Sequence, residues 1–119
     1  MLFRSERALD LSINGDGFFE VQRMGERYLT RSGDFTIDRQ GFLRTTDGEA
    51  QVLADDGKPI RIDSNTLVAV TPDGQVVQNN ESIAKLSLRS PVDPENITRS
   101  GDNLYRAVGG TREIGRAHV

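Results

Sequence analysis

The chain has 119 residues, 35% hydrophobic and 28% charged, with a net charge of −3 and no cysteine. That length sets one domain with a modest core. The negative balance removes the electrostatic basis of nucleic-acid binding, and the lack of cysteine excludes disulfides and thiolate metal sites. No apolar run approaches the roughly 18 residues of a membrane-crossing helix, so no membrane insertion is expected. Turn signals divide the chain into short runs. Asp16-Gly17, Asp47-Gly48, Asp56-Gly57 and Asp73-Gly74 are joined by Asn14-Gly15, Ser32-Gly33, Gln40-Gly41 and Ser100-Gly101. Such pairs favour tight hairpins, because Gly takes positive φ cheaply and Asp supports a turn through its side chain. In chain order the intervening runs predict strands over 9–13, 19–22, 28–31, 35–37, 51–53, 60–62, 67–71, 75–77, 83–89 and 103–107. A turn at Met24-Gly25-Glu26 separates the second run from the third. The run 83–89 alternates imperfectly, which predicts a bulge. Only 94–98 offers as much as one helical turn. The expected fold is all-β, a small single domain of consecutive antiparallel hairpins.

Carboxylates are plentiful, but nothing in the sequence makes any pair converge as a glycosidase requires. Most sit in turns, where Asp serves conformation. Asn14-Gly15-Asp16-Gly17 and Asp55-Asp56-Gly57 lack the ligand spacing of an EF-hand calcium loop. The single histidine, His118, leaves no partner set for a nucleophilic triad or a zinc site. Asn96-Ile97-Thr98 forms a glycosylation sequon, relevant only to a secreted eukaryotic protein. Phe18, Phe19, Tyr28, Phe35, Phe42 and Tyr105 are expected to fill the core rather than form a stacking surface. Arg31, Arg39, Arg44, Arg61, Arg89 and Arg99 are scattered among acids and read as a mixed solvated or interface surface. Local chemistry alone defines a β-rich binding or structural module. No enzyme, cofactor or metal is expected.

Three segments carry a more specific pattern. Residues 8–21 read A-L-D-L-S-I-N-G-D-G-F-F-E-V, residues 28–43 read Y-L-T-R-S-G-D-F-T-I-D-R-Q-G-F-L, and residues 100–105 read S-G-D-N-L-Y. Together, and in this order, they resemble the flagellar basal-body rod and hook protein family, whose pattern is L-D-x-x-I-x-G-x-G-F-F-x-V, then T-R-x-G-x-F-x-x-D-x-x-G-x-L, then G-x-N-L-Y. The compact stretch between the second and third segments is more like the rod proteins than the larger hook protein. Tyr28 departs by standing one place earlier than the usual aromatic, and the last fifteen residues match nothing in the pattern.

The resemblance implies a structural subunit of the rod that is exported by the flagellar secretion system. It would assemble helically with copies of itself and with other axial proteins, and transmit torque for motility at the basal body. It also implies packing or interface roles, not catalysis, for Asn14, Gly15, Gly17, Phe18, Phe19, Thr30, Arg31, Gly33, Phe35, Asp38, Gly41, Leu43, Gly101, Leu104 and Tyr105. Family members carry amphipathic helices at both termini that pair as a coiled coil. These helices are absent here, so the chain is expected to be a monomer. A secreted carbohydrate- or calcium-binding β module is the alternative reading.

The two ends read differently from the rest. Met1 to Ser5 can be encoded as GTGCTCTTCCGATCT. Glu113 to Val119 can be encoded by a string containing AGATCGGAAGAGCAC, its reverse complement, which resembles a short-read sequencing adapter. The expected native segment is therefore 6–112, with 1–5 and 113–119 as adapter translation.

Overall fold

The computed structural model describes residues 2–4, 8–13, 17–46, 50–63, 65–101 and 103–114. Among the described residues every regular element is a strand: β1 (Leu2–Arg4), β2 (Ala8–Leu11), β3 (Phe18–Arg23), β4 (Glu26–Thr30), β5 (Gly33–Ile37), β6 (Leu43–Thr45), β7 (Gln51–Val52), β8 (Val68–Val70), β9 (Gln75–Gln78), β10 (Glu81–Lys85), β11 (Leu88–Pro91), β12 (Ile97–Arg99), β13 (Tyr105–Ala107) and β14 (Thr111–Glu113). The fold is all-β, as the turn spacing predicts. Of the expected turns, Asp47-Gly48, Asn14-Gly15 and the Asp16 of Asp16-Gly17 lie outside the described residues.

Three hairpins share one backbone closure. The amide of the first turn residue donates to the carbonyl four residues on, and the Gly amide three residues on donates back to the first residue's carbonyl. The pairs are Asp38–Phe42 (2.9 Å) with Gly41–Asp38 (3.0 Å), Ala54–Lys58 (2.8 Å) with Gly57–Ala54 (2.9 Å), and Thr71–Gln75 (2.9 Å) with Gly74–Thr71 (2.9 Å). Gly41, Gly57 and Gly74 have φ of 90°, 81° and 87°, the left-handed step that closes a three-residue hairpin. Pro72 suits its turn because its ring presets φ for the position after the first turn residue. Two further hairpins turn in two residues. Met24 and Gly25 join β3 to β4, while Asn79 and Asn80 join β9 to β10, all at positive φ.

These hairpins assemble into two antiparallel sheets. The smaller has the order β1-β8-β9-β10, and the larger β12-β13-β4-β3-β7-β6-β5-β2, with β11 bonded to both β3 and β14. The order is not sequential. β3 pairs with β4 along one edge (Val21↔Tyr28) and meets both β7 (Val21↔Val52) and β11 (Phe19↔Leu88). Side chains from both sheets form one core. Phe19, Phe35, Leu43, Val52, Val70, Val76, Leu86 and Leu88 are all at most 1% exposed. Each such side chain contributes roughly 1.5–3 kcal/mol of burial.

The structure corrects several sequence expectations. The run 83–89 is two strands in different sheets. β10 carries the expected irregularity between Ser82 and Ala84, then the chain passes through an isolated bridge at Leu86 to Ala54 and enters β11. Residues 60–62 form no strand. Ile60 and Ile62 make single backbone bonds to Leu43 and Gly41, and Pro59 and Arg61 make isolated bridges. Pro59 has no amide to extend a ladder. The possible helical turn at 94–98 is a tight turn closed by the Asn96 amide on the Asp93 carbonyl (3.0 Å), after which Ile97 enters β12.

Candidate functional site

The three sequence segments meet in space. Antiparallel pairing of β3 with β4 sets Phe19 opposite Thr30, which brings Arg31, the residue after β4, beside Gly17 and Phe18 at the start of β3. Arg31 Nη1 donates to the Gly17 carbonyl, and its guanidinium carbon lies 5.5 Å from the Phe18 ring centre. β13 pairs Tyr105 with Leu29, so the Tyr105 ring meets Phe18 edge-on at 5.9 Å. Arg31, Phe18 and Tyr105, one from each segment, thus form a continuous stack. A cation over an aromatic face contributes about 0.5–1 kcal/mol at an exposed site.

Below this stack the second layer is apolar. Phe19 and Phe35 pack edge-to-face at 5.0 Å, and Leu43 and Leu104 are buried in the same core. Gly33 faces Leu11 across β5 and β2. A Cβ on Gly33 would lie 1.8 Å from the Leu11 carbonyl oxygen, so no side chain fits there. Gly17 is also hemmed in, by the Ile114 and Ile13 side chains. Thr30 is buried, and its hydroxyl oxygen accepts the Ser32 amide at 3.1 Å, fixing the chain as it leaves β4. Gly101 has φ of 122° and opens the turn that delivers Leu104. Asn14 and Gly15 lie outside the described residues.

Asp38 stands apart, at the β5–β6 hairpin with Gly41. Its Oδ1 accepts the amides of Gln40 and Phe42, both at 2.9 Å, and its Oδ2 accepts Arg44 Nε at 2.7 Å. Partial burial raises the carboxyl's pKa. The hydrogen bonds from Arg44, Phe42 and Gln40, with the Arg44 charge, outweigh this and hold it below the ordinary aspartate value. Thr71 occupies the matching place in the Asp73-Gly74 hairpin, accepting the Gln75 amide at 3.0 Å. Its hydroxyl donates to Asp73, whose pKa is lowered chiefly by that bond and then by the Gln75 side chain.

Several polar positions are visible only in the fold. Glu20 alternates with Phe19 and Val21, the pattern of a solvent-facing residue, yet it is buried and its Oε1 accepts Ser87 Oγ at 2.8 Å. Gln78 is also buried. Its Oε1 accepts the Asp63 amide, and its Nε2 donates to the Asp63 and Thr66 carbonyls. Arg44 as the partner of Asp38 was accessible to hairpin geometry, since the two flank one turn. Of the arginines expected at a mixed surface, Arg61 lies over Phe42 at 5.3 Å and Arg89 bonds Thr111. Among the described residues, no buried side-chain nitrogen or oxygen lacks a hydrogen-bond partner.

Among the described residues, the polar side chains of the motif segments are bonded to turn backbone, strand ends and one another. Residues 12–78 match the family model described as "Flagellar hook protein FlgE/F/G D1 domain", and the chain belongs to that family. It is similar to proteins named flagellar basal-body rod protein FlgF. The identity is 44% over 98 residues in Caulobacter vibrioides, covering 82% of this chain and 40% of that protein. In Rhizobium meliloti it is 40% over 88 residues, covering 73% and 36%. It is also similar to a flagellar basal-body rod protein FlgG of Buchnera aphidicola subsp. Schizaphis graminum, 34% identical over 110 residues, covering 88% and 42%. The chain spans about two fifths of the length of these relatives.

Proposed function

We infer that this chain is the β domain of a structural subunit of the bacterial flagellar basal-body rod. The observation that carries this reading is the 44% identity to a protein named as a basal-body rod protein, extending over 82% of the chain. The native segment is 6–112. The complete subunit is exported by the flagellar secretion system, assembles helically with itself and other axial proteins, and transmits torque. The motif residues from Gly17 to Tyr105 serve that role mechanically. They lock strand ends and turns so that the domain carries load as one body, and no substrate is turned over. Alone, the domain is a monomer at micromolar concentration.

The test is a domain exchange. Residues 6–112 replace the matching stretch of the Caulobacter vibrioides rod protein FlgF in cells lacking that gene. Swarming on soft agar is the expected result. A chimera that is exported but leaves the cells non-motile overturns the reading. Calcium is expected to leave the melting temperature of the isolated chain unchanged, whereas a large upward shift supports a calcium-binding module instead.

A further inference from the structure

Met24 is the residue that the fold explains least. It holds the first central position of the β3–β4 turn at φ 52°, followed by Gly25 at 80°. Asn or Asp is favoured there, because a longer side chain is strained in the left-handed region. The corresponding β9–β10 turn uses Asn79 and Asn80. Met24 accepts the strain with its side chain 96% exposed, so it gains no packing within its own chain. Its surroundings are basic. Arg23 and Arg27 flank the turn, and Arg106 lies with Arg23 against the Tyr28 ring, each 4.9 Å from its centre. Two of these arginines already face carboxylates: Arg106 is paired with Glu26, and Arg27 lies 3.9 Å from Glu20.

A hollow of complementary character lies on the smaller sheet. An open groove of about 580 Å³ beside β8 and β9 is lined by Leu67, Ala69 and Val77, with Asn65 and Asn79 at its sides. Leu67 is 58% exposed. Two acids adjoin residues that line the groove. Asp63 is tied to Asn65 and Thr66 by its carboxylate, and Glu81 follows the Asn79-Asn80 turn as an exposed residue.

We propose that Met24 of one copy seats in the Leu67–Ala69–Val77 groove of a second copy of this chain, with the arginines around Met24 facing Asp63 and Glu81. Knob and groove share no residue and belong to different sheets, so each copy offers both at once. The contact is heterologous and does not close on itself, the geometry that builds a helical polymer. It rests on the rod reading above and supplies that reading with a lateral contact. One methionine in one groove is far smaller than a stable interface of about 1,200 Å² or more. The contact is therefore transient between free domains and becomes strong only through repetition in an assembly.

The test separates knob from groove. Met24→Asn removes the knob and suits the backbone, while Leu67→Glu blocks the groove at an exposed position. The chain has two methionines, so methyl-labelled methionine in the Leu67→Glu variant gives one signal from Met24 besides that of Met1. That signal is expected to move when unlabelled Met24→Asn protein is added up to millimolar concentration. It is expected to stay still when the added protein carries both substitutions. An unmoved signal in the first case, or equal movement in both, overturns the proposal. Motility of the domain-exchange strain reads out the rod assignment separately, so failure of the contact leaves that assignment standing.

Discussion

Gly33 sits where β5 approaches β2 most closely, and its missing side chain is what allows the two strands to pair. Gly33→Ala places a methyl against the Leu11 carbonyl, a backbone atom that moves only if the strand moves. The expected cost is roughly 2–3 kcal/mol in urea melts followed by far-ultraviolet circular dichroism. Gly25→Ala is the control. Nothing lies within 4 Å of that position, so only the strain of positive φ is felt, about 1 kcal/mol. Asp38 makes a second prediction at this scale. Its carboxyl is held below the ordinary value when folded, whereas an unfolded aspartate titrates at about 3.9. The stabilisation is therefore fully present above that unfolded value and is lost as the pH falls through the depressed folded value. Asp38→Asn is expected to lower stability at neutral pH by about 1 kcal/mol. The difference from the parent should shrink in melts below about pH 4. A gap that stays constant into acid would contradict this assignment.

At the scale of elements, Leu86 is the hinge between the two sheets. It follows β10, bridges to Ala54, precedes β11 and is 1% exposed. Leu86→Ala is expected to cost about 2–5 kcal/mol. Methyl signals from Val76 in one sheet and Val52 in the other should be lost at the same temperature, because both belong to one core. Separate transitions would mean that the sheets are independent. This junction also marks where the sequence stopped being readable. Turns are local, and Asp56-Gly57, Asp73-Gly74 and Gln40-Gly41 closed hairpins as their residue types required. Ile83 to Leu88 looks like one imperfect strand because the sequence carries the alternation but not the change of partner at Leu86. β6, β12 and β14 are three residues each, too short for a periodic pattern. What makes them strands is the partner they meet: β6 lies between β5 and β7, β12 pairs with β13, and β14 reaches back to β11. Glu20 was misleading for the same reason: alternation points it outward, and a distant segment ending at Ser87 covers it. The stack of Arg31, Phe18 and Tyr105 was legible as three motifs but not as one contact, since only the pairings of β4 with β3 and β13 join them.

For the whole molecule, one core shared by both sheets ties together strands that lie far apart in the chain. The long-range pairings that give it this character also set the order in which it forms. Hairpins close in about 1–10 microseconds, so the 54–58 and 71–75 turns can form as soon as their residues are free. β3 cannot be completed in that way, because Phe19 waits for Leu88 to reach it. A chain emerging amino-terminus first, from a ribosome or any narrow passage, therefore carries an unfinished sheet until most of its length is out. Phe18, Phe19 and Val21 of the strand Phe18–Arg23 keep one side uncovered during that interval, and the sheet is complete only when the Leu88–Pro91 segment arrives.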